Sequence, residues 1–263
     1  MKSRKVIWLF LMAALIAALT LIVDSRRRLN DKIILGGAEN AFITVDELKG
    51  PLDDYDEPED IYAALQFPEI DTEQWEYMLA NADNSIGRYE PEELTTLDKF
   101  GVSIDSRIYD AVKALVKAAE NAGYSIYISA GYRSYTDQTA LFNEMAAGIS
   151  EKDGCSYDDA VAIAKRTLAY PGTDEHQTGL CIDISDIQRE SYVYEEMNQA
   201  VFSWLDNHCA EYGFIKRYPE AKADVTGWSV PQHYRYVGEE AARFISENGL
   251  CFEEFIAHYA KAG

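Results

Sequence analysis

The chain has 263 residues, of which 48% are hydrophobic and 26% charged, and it carries a formal net charge of −21 with an isoelectric point near 4.5. This length is sufficient for one folded domain with additional segments. A surface this acidic repels the phosphate backbone of nucleic acids. We therefore exclude a nucleic-acid partner.

The N-terminus has the pattern of a membrane anchor. Basic residues in Met1–Lys5 precede Val6–Val23, an apolar run without a charged residue. Such a run is long enough to form a membrane-spanning helix and exceeds the short apolar core of a signal peptide. No clean small-x-small cleavage site follows it. We therefore predict a retained single-pass anchor over residues 1–28, with basic residues on both sides that leave its orientation open.

An acidic stretch follows the anchor. Asp and Glu residues crowd between Asp53 and Asp60, together with Pro51 and Pro58. Like charges repel one another and keep such a segment extended. We predict a solvated stalk over residues 29–71, which we prefer to a binding tail.

The composition becomes that of a folded domain over residues 72–263. Asp105 can cap a helix that begins near Ser106, because the apolar residues from Ile108 to Ala119 recur at helical spacing and Gly123 ends the pattern. A strand over residues 125–128 follows, and then a helix from about Thr136.

The second half of this domain also contains predicted helices and a strand. Ser156 can cap a helix over 157–168, and further helices are predicted over 199–212 and 239–259, with a strand over 234–237. Strands interspersed with helices indicate an α+β fold with a small antiparallel sheet flanked by helices.

One segment, residues 171–184, carries the first candidates for chemistry. His176 and Asp183 are good ligands for a divalent metal. The residues leading into Asp183 alternate like a strand, and a strand can hold a carboxylate rigidly. Most isolated His–Asp pairs are nevertheless ordinary structural residues.

Two further segments make the pattern specific. One contains Ser129–Tyr135 and Gln138, and the other runs from Tyr212 to Pro219 and on to His233–Gly238. Together with the His176 loop, these motifs resemble, in order and spacing, those of the VanY-type D-alanyl-D-alanine carboxypeptidases, zinc peptidases that also include VanX and LdcB. The family patterns are S-x-Y-R-S-x-x-x-Q, S-E-H-Q-x-G-x-A-x-D, Y-G-F-x-x-R-Y-P and E-P-W-H-x-R-Y-V-G. The resemblance covers roughly the last two thirds of the chain.

The resemblance implies a role for each matching residue. It implies that His176, Asp183 and His233 bind Zn²⁺ and leave a position for water. It implies that Arg133 stabilises the oxyanion that develops on the substrate carbonyl, and that Gln138 lines the substrate pocket. Glu175, Gln177 and Thr178 are expected to shape the loop, and Arg217 and Tyr218 to pack beside the cleft.

The chain also departs from the family pattern. Val230 stands where the family has the glutamate that acts as general base, and valine cannot transfer a proton. No Asp or Glu lies between Val225 and Gly238. Gln232 replaces a tryptophan, and Asp174 replaces the serine two residues before the first histidine. Asp174 is therefore the candidate for a substitute base.

The chain has four cysteines, Cys155, Cys181, Cys209 and Cys251. Outside the membrane they could form two disulfides in any of three connectivities, or they could remain buried free thiols. We hypothesise the pairs Cys209–Cys251 and Cys155–Cys181. A free Cys181 would instead approach the metal, since it shares a strand face with Asp183 at about 7 Å.

These observations lead to one main hypothesis and two alternatives. The main hypothesis is a monomeric, membrane-anchored zinc carboxypeptidase that removes C-terminal D-alanine from peptidoglycan stem peptides, with its domain outside a bacterial cell membrane. The first alternative is a catalytically inactive relative that binds wall peptides or a partner protein, and the second is a purely structural wall protein. Whether the bond cut is D,D or L,D stays open.

Overall fold

The computed structural model describes residues 62, 65–185 and 194–262. The predicted anchor and most of the predicted stalk lie outside these ranges, so both stay predictions. Within the described ranges, none of the helices combines the length and the apolar character needed to cross a membrane. The elements below belong to the compact unit Gln66–Gly263.

The fold is α+β. The strands are β1 (Leu94–Leu97), β2 (Val102–Asp105), β3 (Tyr127–Ala130), β4 (Cys181–Ser185), β5 (Phe214–Tyr218) and β6 (Val230–Tyr236). The helices are α1 (Tyr109–Asn121), α2 (Tyr135–Asp153), α3 (Tyr157–Ala164), α4 (Gln199–His208), α5 (Ala223–Thr226), α6 (Glu239–Glu247) and α7 (Phe252–Ala262).

Four strands form the central sheet, in the order β3-β4-β6-β5, and every neighbouring pair is antiparallel. The register places Asp183 of β4 directly opposite His233 of β6. Cross-strand neighbours have Cβ atoms about 5 Å apart. The sheet therefore brings together two residues that are far apart in the sequence.

The predicted α1 is confirmed, and its local signals act as expected. The side chain of Asp105 accepts a hydrogen bond from Arg107 N at 2.9 Å and caps a short 3-10 turn that leads into α1. The buried face of α1 includes Val112 and Leu115. Gly123, at φ 88°, lies just beyond its end.

Several predicted boundaries were wrong. The strand predicted over 125–128 lies at β3, two residues later, and the predicted helix 157–168 ends at Ala164. The predicted helix 199–212 ends at His208 and is followed by a 3-10 turn that reaches Tyr212. The strand predicted over 234–237 begins earlier, at Val230. In each case the element type is right, and for the two strands the ends follow the pairing with β4 and β5.

The main core lies on one face of the central sheet. Ile128, Ile182, Ile184 and Tyr234 are fully buried there and belong to the same apolar cluster as Leu115 of α1. Because side chains alternate along a strand, Asp183 points to the opposite face of β4. One face of the sheet thus forms the core, and the other supports the polar site.

Candidate metal and active site

His176 is held on a short, rigid turn. A 3-10 turn over Glu175–Thr178 follows Asp174, whose Oδ1 accepts a hydrogen bond from His176 N at 3.3 Å. Gly179 ends the turn at φ 70°, and a Cβ there would lie 2.9 Å from Asp105 N. Only glycine fits both this conformation and this space. The turn therefore fixes where the His176 side chain begins.

The structure brings the three predicted metal ligands together. His176 Nε2 lies 3.2 Å from Asp183 Oδ2, and His233 Nδ1 lies 2.8 Å from Asp183 Oδ1. On its other side, His176 Nδ1 lies 2.7 Å from Gly131 O, to which it can only donate. A metal-binding histidine commonly donates its second ring N–H to such a carbonyl, which leaves Nε2 free for the metal. This donor set fits a divalent cation.

The electrostatics of the cluster favour positive charge. Burial would lower the pKa of His176, but the neighbouring Cys181 and Asp183 raise it well above its ordinary value. Burial would likewise lower the pKa of His233, and contacts with Cys181 and Asp183 raise it. Conversely, the pKa of Asp183 falls far below its usual range, because the histidines outweigh the effect of its burial. A site that stabilises added protons in this way also stabilises a bound cation.

Cys181 offers a competing set of ligands with the same two histidines. Ligand atoms of His176, Cys181 and His233 lie within 4.8 Å of one another. However, Cys181 Sγ lies 3.5 Å from His176 Nδ1, the nitrogen that binds Gly131 O. Ligation through Nδ1 would break that hydrogen bond, whereas ligation beside Asp183 preserves it. We therefore favour Asp183 as the third ligand, with Cys181 packed behind the ring.

The hypothesis of two disulfides was wrong. All four cysteines are free thiols in the structure. Cys181, Cys209 and Cys251 are buried, whereas Cys155 is half-buried. Cys181 contacts His176 instead of Cys155, because β4 directs its side chain toward the histidines.

Arg133 lines the pocket, and a hydrogen bond to Gln138 holds its guanidinium group in place. Its Nη1 donates to Gln138 Oε1 at 2.7 Å and lies 3.4 Å from Asp174 Oδ2. Gln138 in turn donates from Nε2 to Ala169 O at 2.6 Å. Gln138 is fully buried, so the expectation that it lines the pocket gives way to a position behind Arg133.

The register between β5 and β6 shifts near Val230, which lines the same pocket as His233. Tyr218 pairs with Val230 and Lys216 with Tyr234, so β6 carries two extra residues within this stretch. Pro231 lies in the interruption, where its missing N–H costs no ladder hydrogen bond. Residues three apart on a regular strand face opposite ways, but here both Val230 and His233 line the pocket.

At Val230 the wall of the pocket is apolar. Its lining includes two carboxylates, Asp174 and Asp183, of which the first is paired with Arg133 and the second with the histidines. Tyr218 lies at the pocket as expected, whereas Arg217 is fully buried and forms an ion pair with Glu175. Asn81 and Trp228 also line the pocket. Neither residue was among the predicted site residues.

The family comparison gives a direct match. A family model described as VanY, D-alanyl-D-alanine carboxypeptidase, matches residues 101–239. A D-alanyl-D-alanine carboxypeptidase of Enterococcus faecalis is 37% identical over 200 residues, which cover 76% of this chain and 72% of the relative. The putative carboxypeptidase YodJ of Bacillus subtilis is 36% identical over 189 residues, covering 66% of this chain and 64% of the relative.

Solved structures show the same similarity. VanYB in complex with D-alanine-D-alanine superposes with a TM-score of 0.61 at 38% identity, covering 70% of this chain and 98% of that one. A mutant VanY D,D-pentapeptidase in complex with Zn(II) gives 0.59 at 37% identity, with coverages of 70% and 99%. The LD-carboxypeptidase LdcB gives 0.61 at 33% identity, with coverages of 73% and 93%.

Proposed function

The chain belongs to the VanY family of D-alanyl-D-alanine carboxypeptidases, and from this premise we propose that it removes C-terminal D-alanine from peptidoglycan peptides in a zinc-dependent reaction. One observation carries the proposal: His176 Nε2 and His233 Nδ1 both face the carboxylate of Asp183, at a pocket that Arg133 also lines. Three ligands of this type, with one side open, are typical of a catalytic zinc site.

His176, Asp183 and His233 would hold the zinc ion. When bound, zinc polarises a carbonyl oxygen and lowers the pKa of a bound water to about 7. The hydrogen bond from His176 to Gly131 O fixes the ring so that Nε2 faces Asp183. The cross-strand register keeps Asp183 and His233 adjacent.

Arg133 gives the pocket its polarity. Its guanidinium group is held by Gln138, so it can stabilise negative charge on the substrate without first being ordered. The cavity is about 140 Å³, smaller than the roughly 300–1,000 Å³ of pockets for drug-sized ligands. A small terminal residue such as D-alanine suits a cavity of this size.

Val230 bears on how fast the reaction runs. We infer from the family pattern that Val230 occupies the place of the general base, so the chain needs a substitute. Asp174 is the candidate because its buried Oδ2 lacks a hydrogen bond and its side chain lines the pocket. Its Oδ2 also lies 3.4 Å from Arg133 Nη1, so the same carboxylate serves as the counter-ion of that guanidinium group.

A second candidate function rests on that same apolar wall. A domain that keeps the pocket and Arg133, but lacks a base, would bind a wall peptide without cleaving it. Both candidates bind the same wall peptide, but only the first cleaves it.

A direct assay separates the two candidates. The purified, zinc-loaded protein is incubated with a stem pentapeptide that ends in D-Ala-D-Ala and with a tetrapeptide that ends in a single D-Ala, and released D-alanine is measured. We expect release from at least one peptide, abolished by a chelator and restored by zinc. Binding without release would favour the second candidate. A protein that neither binds nor cleaves these peptides would refute both candidates.

For the location of the domain, we propose a single-pass bacterial membrane protein whose domain faces the cell wall. The support is the apolar run Val6–Val23 together with a substrate that lies outside the membrane. Protease added to intact protoplasts should remove the domain from the cells, while a cytoplasmic marker protein stays intact. Complete protection of the domain would contradict this topology.

A further inference from the structure

Two buried polar atoms face each other beside the metal ligands without a hydrogen bond. They are His233 Nε2 and Glu175 Oε2, which lie 3.7 Å apart. His233 is 4% and Glu175 1% exposed. Buried polar atoms nearly always find a partner, because leaving one unpaired costs about 1–3 kcal/mol. A distance of 3.7 Å is just beyond a hydrogen bond, so a small movement would pair the two.

The hydrogen bonds that hold Glu175 go to its Oε1 and leave its Oε2 without a partner. Arg217 Nε donates to Glu175 Oε1 at 2.9 Å, and Arg235 Nη1 donates to the same oxygen at 2.8 Å. Both arginines are fully buried. The two guanidinium groups both bind Oε1, so the second oxygen of Glu175 faces His233.

The role of this contact depends on which ring nitrogen of His233 carries the proton. Its Nδ1 faces Asp183 Oδ1 at 2.8 Å, so a metal held together with Asp183 would use Nδ1. The proton of the neutral ring must then lie on Nε2, where Glu175 Oε2 is the nearby acceptor. A carboxylate behind a metal-binding histidine fixes the ring orientation and makes the ring a stronger ligand.

The arginines connect this contact to the rim of the pocket. Arg235 also donates to the carbonyl groups of Glu76 and Met78. Arg217 also forms two hydrogen bonds with Glu253, at 2.8 and 2.6 Å, and Glu253 accepts one from Asn81 of the pocket lining. The position of Glu175 is therefore set from several elements, which makes it a rigid support for His233.

We propose that Glu175 is a positioning residue that holds His233 with its proton on Nε2 and thereby strengthens metal binding through Nδ1. The proposal rests on the proposed function, because it takes the metal to be bound beside Asp183. Glu175 acts through His233 and does not line the pocket.

The test compares Glu175→Gln and Glu175→Asp with the wild-type protein. Gln keeps the size of the side chain but loses the charge, and Asp keeps the charge but is one methylene shorter. Zinc affinity is measured by competition with a chelator, and the Nε2–H proton of His233 is observed by NMR through its coupling to the ring nitrogen. We expect zinc affinity to fall by about 10–100-fold in both variants and the Nε2–H resonance to move.

Glu253→Gln is the matched control. It removes a carboxylate from the same Arg217 without touching His233, so it reproduces the loss of charge balance alone. We expect it to change zinc affinity and the His233 resonance much less than the Glu175 variants do, because Arg217 and Arg235 still hold Glu175. An equal loss of affinity in Glu253→Gln would overturn the proposal, as would folded Glu175 variants with wild-type affinity and an unmoved resonance.

Two outcomes need a separate decision. If Glu175→Gln does not fold, because two buried arginines lose their counter-charge, Glu175→Asp decides by the same two measurements. If the wild-type protein binds no zinc, the proposed function fails. The Nε2 nitrogen resonance of His233, which is observable in either tautomer, is then compared between the metal-free wild type and Glu175→Asp, since an unmoved resonance overturns the contact and a moved one supports it.

Discussion

Alanine substitution of His176, Asp183 or His233 is expected to abolish stoichiometric zinc binding and to reduce D-alanine release by at least about 10³-fold. Metal polarisation contributes several kcal/mol to such a reaction, and each 1.4 kcal/mol corresponds to a factor of ten. Zinc content is measured by elemental analysis of the purified variants, and folding is checked by circular dichroism.

Cys181→Ala is the matched control, because Cys181 shares a face of β4 with Asp183 and contacts the same histidine. We expect this variant to keep its zinc, since ligation beside Asp183 leaves the bond from His176 to Gly131 O intact. Loss of zinc from Cys181→Ala with retention in Asp183→Ala would reverse the assignment and make the thiol the third ligand.

Sequence patterns predicted those parts of the fold that are determined locally. Ser156 caps the helix predicted for it, and Asp105 caps the 3-10 turn that leads into α1, because a side-chain oxygen that satisfies a free N–H acts within a few residues. The hairpin of β1 and β2 was not predicted. Each strand has only four residues, too few for alternation to separate a strand from a loop, and Gly101 at φ 69° was the available sign of a turn.

The site was predictable to the extent that motifs carry it. His176, Asp183 and His233 converge as expected, and Arg133 stands beside them. The surroundings were not predictable, since they depend on pairing between distant residues. Gln138 was placed in the pocket, yet it supports Arg133 from behind. Arg217 was placed beside the cleft, yet it is buried against Glu175, 42 residues away in sequence.

The second large effect concerns the wall formed by Val230. If the natural chain lacks a base, Val230→Glu is expected to raise D-alanine release by about 10²–10⁴-fold, the usual contribution of a positioned general base. Position 230 already lines the same pocket as His233. A carboxylate placed there would face the reaction centre without any change in the strand order. Initial rates with the pentapeptide, at equal zinc content, measure the effect.

Val230→Gln is the control for size and polarity, because glutamine has the shape of glutamate but cannot accept the proton. We expect it to leave the rate near that of the wild type. A similar gain in Val230→Gln and Val230→Glu would show that widening or wetting the pocket matters, and that proton transfer at this position does not.

Asp174→Asn decides whether the natural chain already has a base. If Asp174 takes the proton, this variant loses activity while its zinc stays bound, and Val230→Glu adds little to a wild type that is already active. If the wild type is slow for want of a base, Asp174→Asn changes the rate little and Val230→Glu gives the full gain. In Asp174→Asn a neutral amide replaces the carboxylate whose Oδ2 lies 3.4 Å from Arg133 Nη1. This change also frees the guanidinium group of Arg133 for the substrate. A wild type with full activity that Asp174→Asn leaves unchanged would contradict both accounts and require a base outside the pocket lining described above.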